Sequence, residues 1–179
     1  MTDIPTTLTL PKAIVVMGVA GCGKSTIGEA LAKKLGWPFR DADSFHPSAN
    51  VAKMSAGTPL TDEDRWPWLA AIAAWIDERR TTGTPGIVSC SALKRAYRRV
   101  LLDGRPDVAL VYLKGDHALI ADRMTRRRNH FMPPSLLASQ FATLEEPTAD
   151  ERPLVVSIKY PPNRVVEQVL AGLGRGDHC

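Results

Sequence analysis

Ala13-Ile14-Val15-Val16-Met17 runs directly into Gly18-Val19-Ala20-Gly21-Cys22-Gly23-Lys24-Ser25, and the rest of the chain can be read outward from this stretch. Five consecutive apolar residues suit a strand buried on both faces. The glycines end it, and Ser25 to Leu35 comes next with Ile27, Leu31 and Leu35 at helical spacing before Gly36. The loop matches G-x-x-x-x-G-K-[ST] in full, between the strand and helix that this pattern requires. Glycine permits backbone angles that side chains forbid, so successive N–H groups can turn toward one anion. The helix after the loop adds its positive dipole end. On this reading the loop cradles phosphates, Lys24 reaches the terminal ones, and the Ser25 hydroxyl binds Mg²⁺. A glycine-rich turn that binds nothing is the plain alternative, and the flanking elements weigh against it.

Beyond the loop, strand and helix alternate. Strands are expected at 37–41 (weakly), 86–90, 108–113 and 154–158. Helices are expected around 50–56, from the Thr61-Asp62-Glu63-Asp64 capping pattern onward, and over 94–102, 116–128, 133–144 and 163–173. Pro67 lies near the start of its helix, where proline is tolerated. Five short strands separated by helices imply an α/β fold, a parallel sheet with helices on both faces. No repeat or long linker divides residues 1–179, so one domain is expected, with 1–11 as a loose tail.

The next informative place is Asp41-Ala42-Asp43, at the end of the weak strand. Ligands of open parallel sheets collect at the carboxyl ends of strands. If the strand continues to Asp43, its period of two puts both carboxylates on the side of the cradle. One would then hold water on Mg²⁺ while the other accepts a hydrogen bond from an acceptor hydroxyl. An aspartate is a weak base, and a loose phosphoryl-transfer transition state asks mainly for orientation and late proton acceptance. The competing account is a solvated strand end with a helix cap. His46, Asn50, Lys53, Asp62, Asp64 and Arg65 come next, a polar set suited either to a small, hydroxyl-rich acceptor or to a solvated connector. Lys94 stands after the third strand, with Tyr97 and Arg98 one turn on. Arg123, Arg126, Arg127 and Arg128 form the strongest basic cluster, able to neutralise a transferred phosphate or simply to complement a helix end.

Composition limits the function classes. Of 179 residues, 44% are hydrophobic and 23% charged, an ordinary balance for a packed protein. No apolar run approaches the roughly 20 residues of a membrane-spanning helix. The start has Asp3 and no basic region, so no secretory signal is expected. Cys22, Cys90 and Cys179 lack metal-type spacing and are odd in number, which fits a reducing cytoplasm without disulfides. The net charge of +4 is explained by the arginine cluster. With 6% aromatic residues, base-stacking platforms are few, and a nucleic-acid partner is not expected. No membrane partner is expected either.

Together these residues resemble a family. Met17 to Thr26 is one match; Asp41-Ala42-Asp43-Ser44-Phe45-His46-Pro47 with Asn50 and Lys53-Met54 is the second. Gly57-Thr58-Pro59-Leu60, Asp62, Asp64-Arg65 and Pro67-Trp68-Leu69 continue it, then Cys90-Ser91-Ala92-Leu93-Lys94 with Tyr97-Arg98, and Tyr112-Leu113-Lys114-Gly115. His130-Phe131, Gln140-Phe141, Thr143-Leu144, Glu146-Pro147 and Asp150-Glu151-Arg152 complete it. The chain resembles the small P-loop gluconokinases from about Ala13 to Val169. The resemblance implies a P-loop NTPase fold like that of nucleoside monophosphate kinases, with a small lid near 116–134, and frequently a homodimer. It implies ATP-dependent phosphorylation of D-gluconate at its 6-hydroxyl. By position, Gly18, Val19, Ala20, Gly21, Cys22, Gly23, Lys24, Ser25 and Thr26 would bind ATP, with Ser25 on Mg²⁺. Asp43 would orient the hydroxyl; Lys53, Arg65, Lys94 and His130 would contact gluconate, with His46 helping. Arg123 and Arg127 would hold phosphate or stack on adenine from the lid, and Pro161 or Pro162 would cover the other adenine face. Cys22 stands where serine is common, at a position contributing its backbone N–H, and Met132-Pro133-Pro134 is stiffer than usual. Alternatives are a kinase of another small metabolite such as shikimate, a nucleoside monophosphate kinase, and a nucleotide-sensing module without turnover.

Overall fold

A computed structural model describes residues 9–126 and 134–175. Ala13–Met17 (β1) is flanked in parallel by Gly86–Ser89 (β3) and Val108–Lys114 (β4). Phe39–Asp41 (β2) and Leu154–Ser157 (β5) close the two edges, giving the order β2-β3-β1-β4-β5. The connections leaving β1 and its neighbour β4 run to opposite sides, toward β2 and β5. Such a divergence opens a crevice at the carboxyl ends of the strands.

The unbroken apolar run of β1 has a direct cause: all five residues are buried because both faces are covered. Ile14 and Val16 join one core with Ile27 and Leu31 of Lys24–Leu35 (α1) and Val165 and Val169 of Pro162–Arg175 (α7). Ala13, Val15 and Met17 join the other with Leu69, Ile72 and Ile76 of Asp62–Thr82 (α3) and Tyr97 and Leu101 of Arg95–Leu102 (α4). Truncating any of these isoleucines or leucines to Ala costs about 2–5 kcal/mol. The remaining helices are Ser48–Ser55 (α2), His117–Arg126 (α5) and Pro134–Thr143 (α6). No helix among the described residues is long and apolar enough to cross a membrane.

The expected capping box opens α3: the Asp64 N–H donates to Thr61 Oγ1 at 3.2 Å and the Thr61 N–H to Asp64 Oδ2 at 2.9 Å. The β2 strand ends at Asp41, as the expected 37–41 strand does, and Ala42–Phe45 forms a tight 3₁₀ turn, so the condition for placing both aspartates on one strand is not met. The cause is local: Asp41 Oδ1 accepts the Asp43 N–H at 2.9 Å, and Ser44 Oγ donates to the Asp41 carbonyl at 2.7 Å. Asp41 and Asp43 are therefore not alternate residues of one strand.

On the outer side of α3, Asp77 receives Arg105 Nε and Nη2, both at 2.7 Å, and Arg80 Nη1 at 3.0 Å. These bonds, Arg105 first, bring its carboxyl from the ordinary 3.8 down to about 2. A depressed carboxyl stabilises the fold above its unfolded value and loses that contribution as pH falls through its folded value. Asp77→Asn is expected to lower Tm at pH 7, and the gap to the wild type should narrow as pH drops from about 4 toward 2. A thermal melt series over that range checks it; a gap independent of pH assigns the effect to something other than this carboxylate.

Candidate active site

The cradle is built as its glycines require. Gly21 and Gly23 have φ of +83° and +96°, left-handed angles that L side chains rarely adopt. Lys24 Nζ donates to the Val19 carbonyl at 3.2 Å, and the Cys22 N–H donates to the same oxygen at 3.2 Å. Cys22 is buried, and its N–H, expected to be offered to the phosphates, is here bonded to the Val19 carbonyl. The start of α1 brings Ser25 to the end of β2, where its hydroxyl donates to Asp41 Oδ2 at 2.8 Å. The Ala20 N–H donates to Gln140 Oε1 at 3.1 Å.

Asp43 is exposed on the turn after β2. Cys90, at the end of β3, is buried, and burial pushes its thiol up to about 12. The charges acting on this thiol are those of Lys24, Asp43 and Asp41. Lys24 precedes Ser25, whose hydroxyl reaches Asp41, and Asp41 Oδ1 holds the Asp43 N–H, so cradle and aspartates adjoin at the end of β2, with Asp41 in register with Ser89 of β3.

The residues expected on the acceptor side fall into two clusters. His46 stacks on Trp68 with ring centroids 4.4 Å apart and 11° between planes, and the Trp68 indole N–H donates to the Ala42 carbonyl at 2.7 Å. Burial lowers the pKa of His46, against the opposing pull of Asp43. Asn50, buried, places its Nδ2 at 3.3 Å from His46 Nδ1 and 2.9 Å from the Asp64 carbonyl. That carbonyl can only accept, which fixes the amide and makes Nδ1 the acceptor of the neutral ring. Lys53 Nζ holds both Asp64 oxygens at 2.9 and 2.8 Å, and its bond together with the Thr61 N–H brings that carboxyl down to about 2.

In the second cluster Asp62 receives the Tyr97 hydroxyl and Lys94 Nζ, the latter at 3.2 Å, with Arg65 Nη1 at 3.6 Å. Arg65 Nη1 also donates to the Tyr97 hydroxyl at 3.2 Å. These partners lower the Asp62 pKa, Tyr97 first, while Asp62 raises that of Lys94. Three basic and two acidic side chains thus line this side. Sequence reasoning places Asp62 only within a polar set and assigns no role to Tyr97, Trp68 or Gln140; the resemblance includes all four, but their partners lie far along the chain.

Behind the cradle, a cavity of about 280 Å³ is lined by Gly21, Cys22, Thr26, Arg123, Tyr160 and Pro162 among others. Arg123 lies in it and donates to the Ile158 carbonyl. Pro162 rather than Pro161 lines it; the Pro161 carbonyl instead accepts the N–H groups of Arg164 and Val165 at the start of α7. Arg127 and His130, and with them part of the expected lid, lie outside the described residues. Mg²⁺ fits the donor set beside Ser25 and Asp41, both oxygen ligands suited to a hard cation that keeps several waters and binds phosphate oxygens. Among the described residues no group of three or more His, Cys, Asp or Glu side chains could hold a metal ion.

The sequence profile of the shikimate kinase family matches residues 20–160. The gluconokinase of Gluconobacter oxydans (strain 621H) is 46% identical over 171 residues, covering 95% of this chain and 96% of that protein. The thermoresistant gluconokinase of Escherichia coli (strain K12) is 41% identical over 163 residues, covering 90% and 93%. A crystal structure of a gluconokinase from Sinorhizobium meliloti 1021 superposes with a TM-score of 0.82 at 48% identity, covering 94% of each chain. The shikimate kinase of Aquifex aeolicus, at 16% identity and a TM-score of 0.57 over 92% of this chain and 97% of that one, shares the fold.

The Ser25–Asp41 contact would place a carboxylate behind Mg²⁺ held through Ser25. Asp41→Asn is expected to weaken Mg²⁺-dependent binding of a fluorescent nucleotide about 10-fold, the usual cost of losing a carboxylate that orients a metal ligand. Affinity measured in EDTA should stay near wild type. Equal losses in both conditions would remove Asp41 from the metal side of the site.

Proposed function

The chain belongs to the gluconokinase family, within the shikimate-kinase-like P-loop kinases, and we propose for it the reaction that this family is named for. ATP phosphorylates the 6-hydroxyl of D-gluconate, giving 6-phospho-D-gluconate and ADP. The observation that supports this reading is the line of contacts from Ser25 of the cradle to Asp41 and on to Asp43, with Lys53, Arg65 and Lys94 tied to the aspartates at the start of α3.

In this reading the cradle N–H groups and the α1 terminus hold the phosphates. Asp43 orients the acceptor hydroxyl and takes its proton as the oxygen forms a bond to the γ-phosphorus. The bond from that phosphorus to the β,γ-bridging oxygen breaks, and the electron pair leaves with ADP. Lys24 shifts from the Val19 carbonyl to the transferring group and offsets its charge, a kind of contribution worth about 2.7–4 kcal/mol per donor elsewhere. Ser25, with Asp41 behind it, would hold Mg²⁺, which would supply charge neutralisation to the phosphates. Lys53, Arg65 and Lys94 hold the carboxylate and hydroxyls of the sugar acid, with His46 Nε2–H as a further donor. Arg123 and Pro162 flank the nucleotide from behind. Arg127 and His130 keep the lid and acceptor roles implied by the resemblance.

The same reading takes residues 1–179 as one kinase domain, acting as a homodimer in the cytoplasm with no nucleic-acid or membrane partner. The odd number of cysteines, without metal-type spacing, suits a reducing compartment.

A coupled ADP-release assay should show turnover with gluconate and little with shikimate, other aldonates or nucleoside monophosphates; preference for any of those overturns the assignment. Asp43→Asn should reduce kcat by about 10²–10⁴ with nucleotide affinity nearly unchanged. Arg65→Ala should raise KM for gluconate and leave KM for ATP in place, and an unmoved gluconate KM makes Arg65 structural.

A further inference from the structure

Gln140 receives no role in the reaction above, yet it touches the cradle. Its Oε1 accepts the Ala20 N–H at 3.1 Å across 120 positions of sequence. The other end of the same peptide group is also held, because the Val19 carbonyl accepts Lys24 Nζ at 3.2 Å. The Val19–Ala20 peptide is therefore clamped between the cradle lysine and a side chain of α6. A peptide polarised at both ends strengthens each bond, and its plane cannot rotate without losing both.

Gln140 is delivered to this place firmly. Within α6, Leu137 is buried in the core beside α1 and α7. Just past the helix, the Glu145 N–H donates to the Leu93 carbonyl at 2.8 Å, and Glu145 Oε2 accepts the Arg95 N–H at 2.8 Å. The end of α6 is thereby pinned to the turn that carries Lys94.

We propose that Gln140 is a positioning residue for phosphoryl transfer: by fixing the Val19–Ala20 peptide it fixes where the Lys24 ammonium rests and from where it meets the transferring phosphate. An amide is the suitable chemistry. Its oxygen accepts the N–H as a carboxylate would, without placing a negative charge beside a polyphosphate. The role deepens the gluconokinase reading and rests on it, so the test separates the two. ATP hydrolysis is measured with and without gluconate; a wild type that gluconate does not stimulate counts against the function, while Gln140 is still judged on hydrolysis without acceptor.

Gln140→Leu is expected to slow turnover about 10-fold or more, as small misplacements of catalytic groups do. ADP affinity by calorimetry should stay within about twofold, since the rest of the cradle is intact. Gln140→Glu restores an acceptor for Ala20 but adds charge, so it should weaken ATP binding more than ADP binding. Wild-type turnover in Gln140→Leu overturns the proposal. So does a loss of ADP affinity in proportion to turnover, which makes Gln140 a packing contact of α6. An equal effect of Gln140→Glu on ATP and ADP also overturns it.

Discussion

At Gly18 the chain leaves β1 with a φ of +153°, and a Cβ there would stand 2.6 Å from Cys22 Sγ and 3.0 Å from the Leu113 carbonyl. The second neighbour is backbone of β4 and cannot yield as a flexible side chain would. Only glycine lets the loop fold back over the end of its own strand while lying against the next one. The rest of the cradle inherits that fold-back. The start of α1 points into the hollow, Lys24 returns to the Val19 carbonyl, and Ser25 lands within reach of Asp41. A side chain at Gly18 would displace the loop from β4 and move all three groups together.

The acceptor side rests on a different constraint, the balance of charge at the start of α3. Asp62 and Asp64 sit in the first turn of that helix, where its dipole favours carboxylates. They organise Lys94, Arg65 and Lys53, half-exposed cations whose pairing adds little to fold stability. Their value lies in arrangement. The five side chains sum to one positive charge, so a singly charged, hydroxyl-rich acid can exchange contacts with the aspartates without a large unbalanced field. A phosphorylated acceptor would bring a second charge that the aspartates oppose. This is a physical reason for a sugar acid over a nucleoside monophosphate.

Much of this was legible in the residues. The β1 run is apolar throughout because both faces of the sheet are covered, and the helix spacing of Ile27 and Leu31 reflects one of those covers. The Thr61 to Asp64 pattern announced the helix that brings the acceptor-side charges. What could not be read has a common cause. Strand periodicity is an average property, whereas the turn after Asp41 is decided by one carboxylate accepting one N–H. Residue type likewise reveals that Asp62, Tyr97 and Gln140 can accept or donate, but not which partner 30 or 120 residues away they reach. Pro161 and Pro162 differ by a single position, and only the start of α7 decides which of them lines the cavity and which caps the helix.

β3 lies between β2 and β1 in the sheet, and the residue just past its end is uncharged. Ile87 and Val88 are fully buried, and the Cys90 thiol beyond them stays protonated because burial holds its pKa near 12. A thiolate in the same place would compete with the carboxylates for Lys24 and repel an incoming phosphate. The neutral cysteine adds no charge of its own to the strand end beside the cradle and the two aspartates.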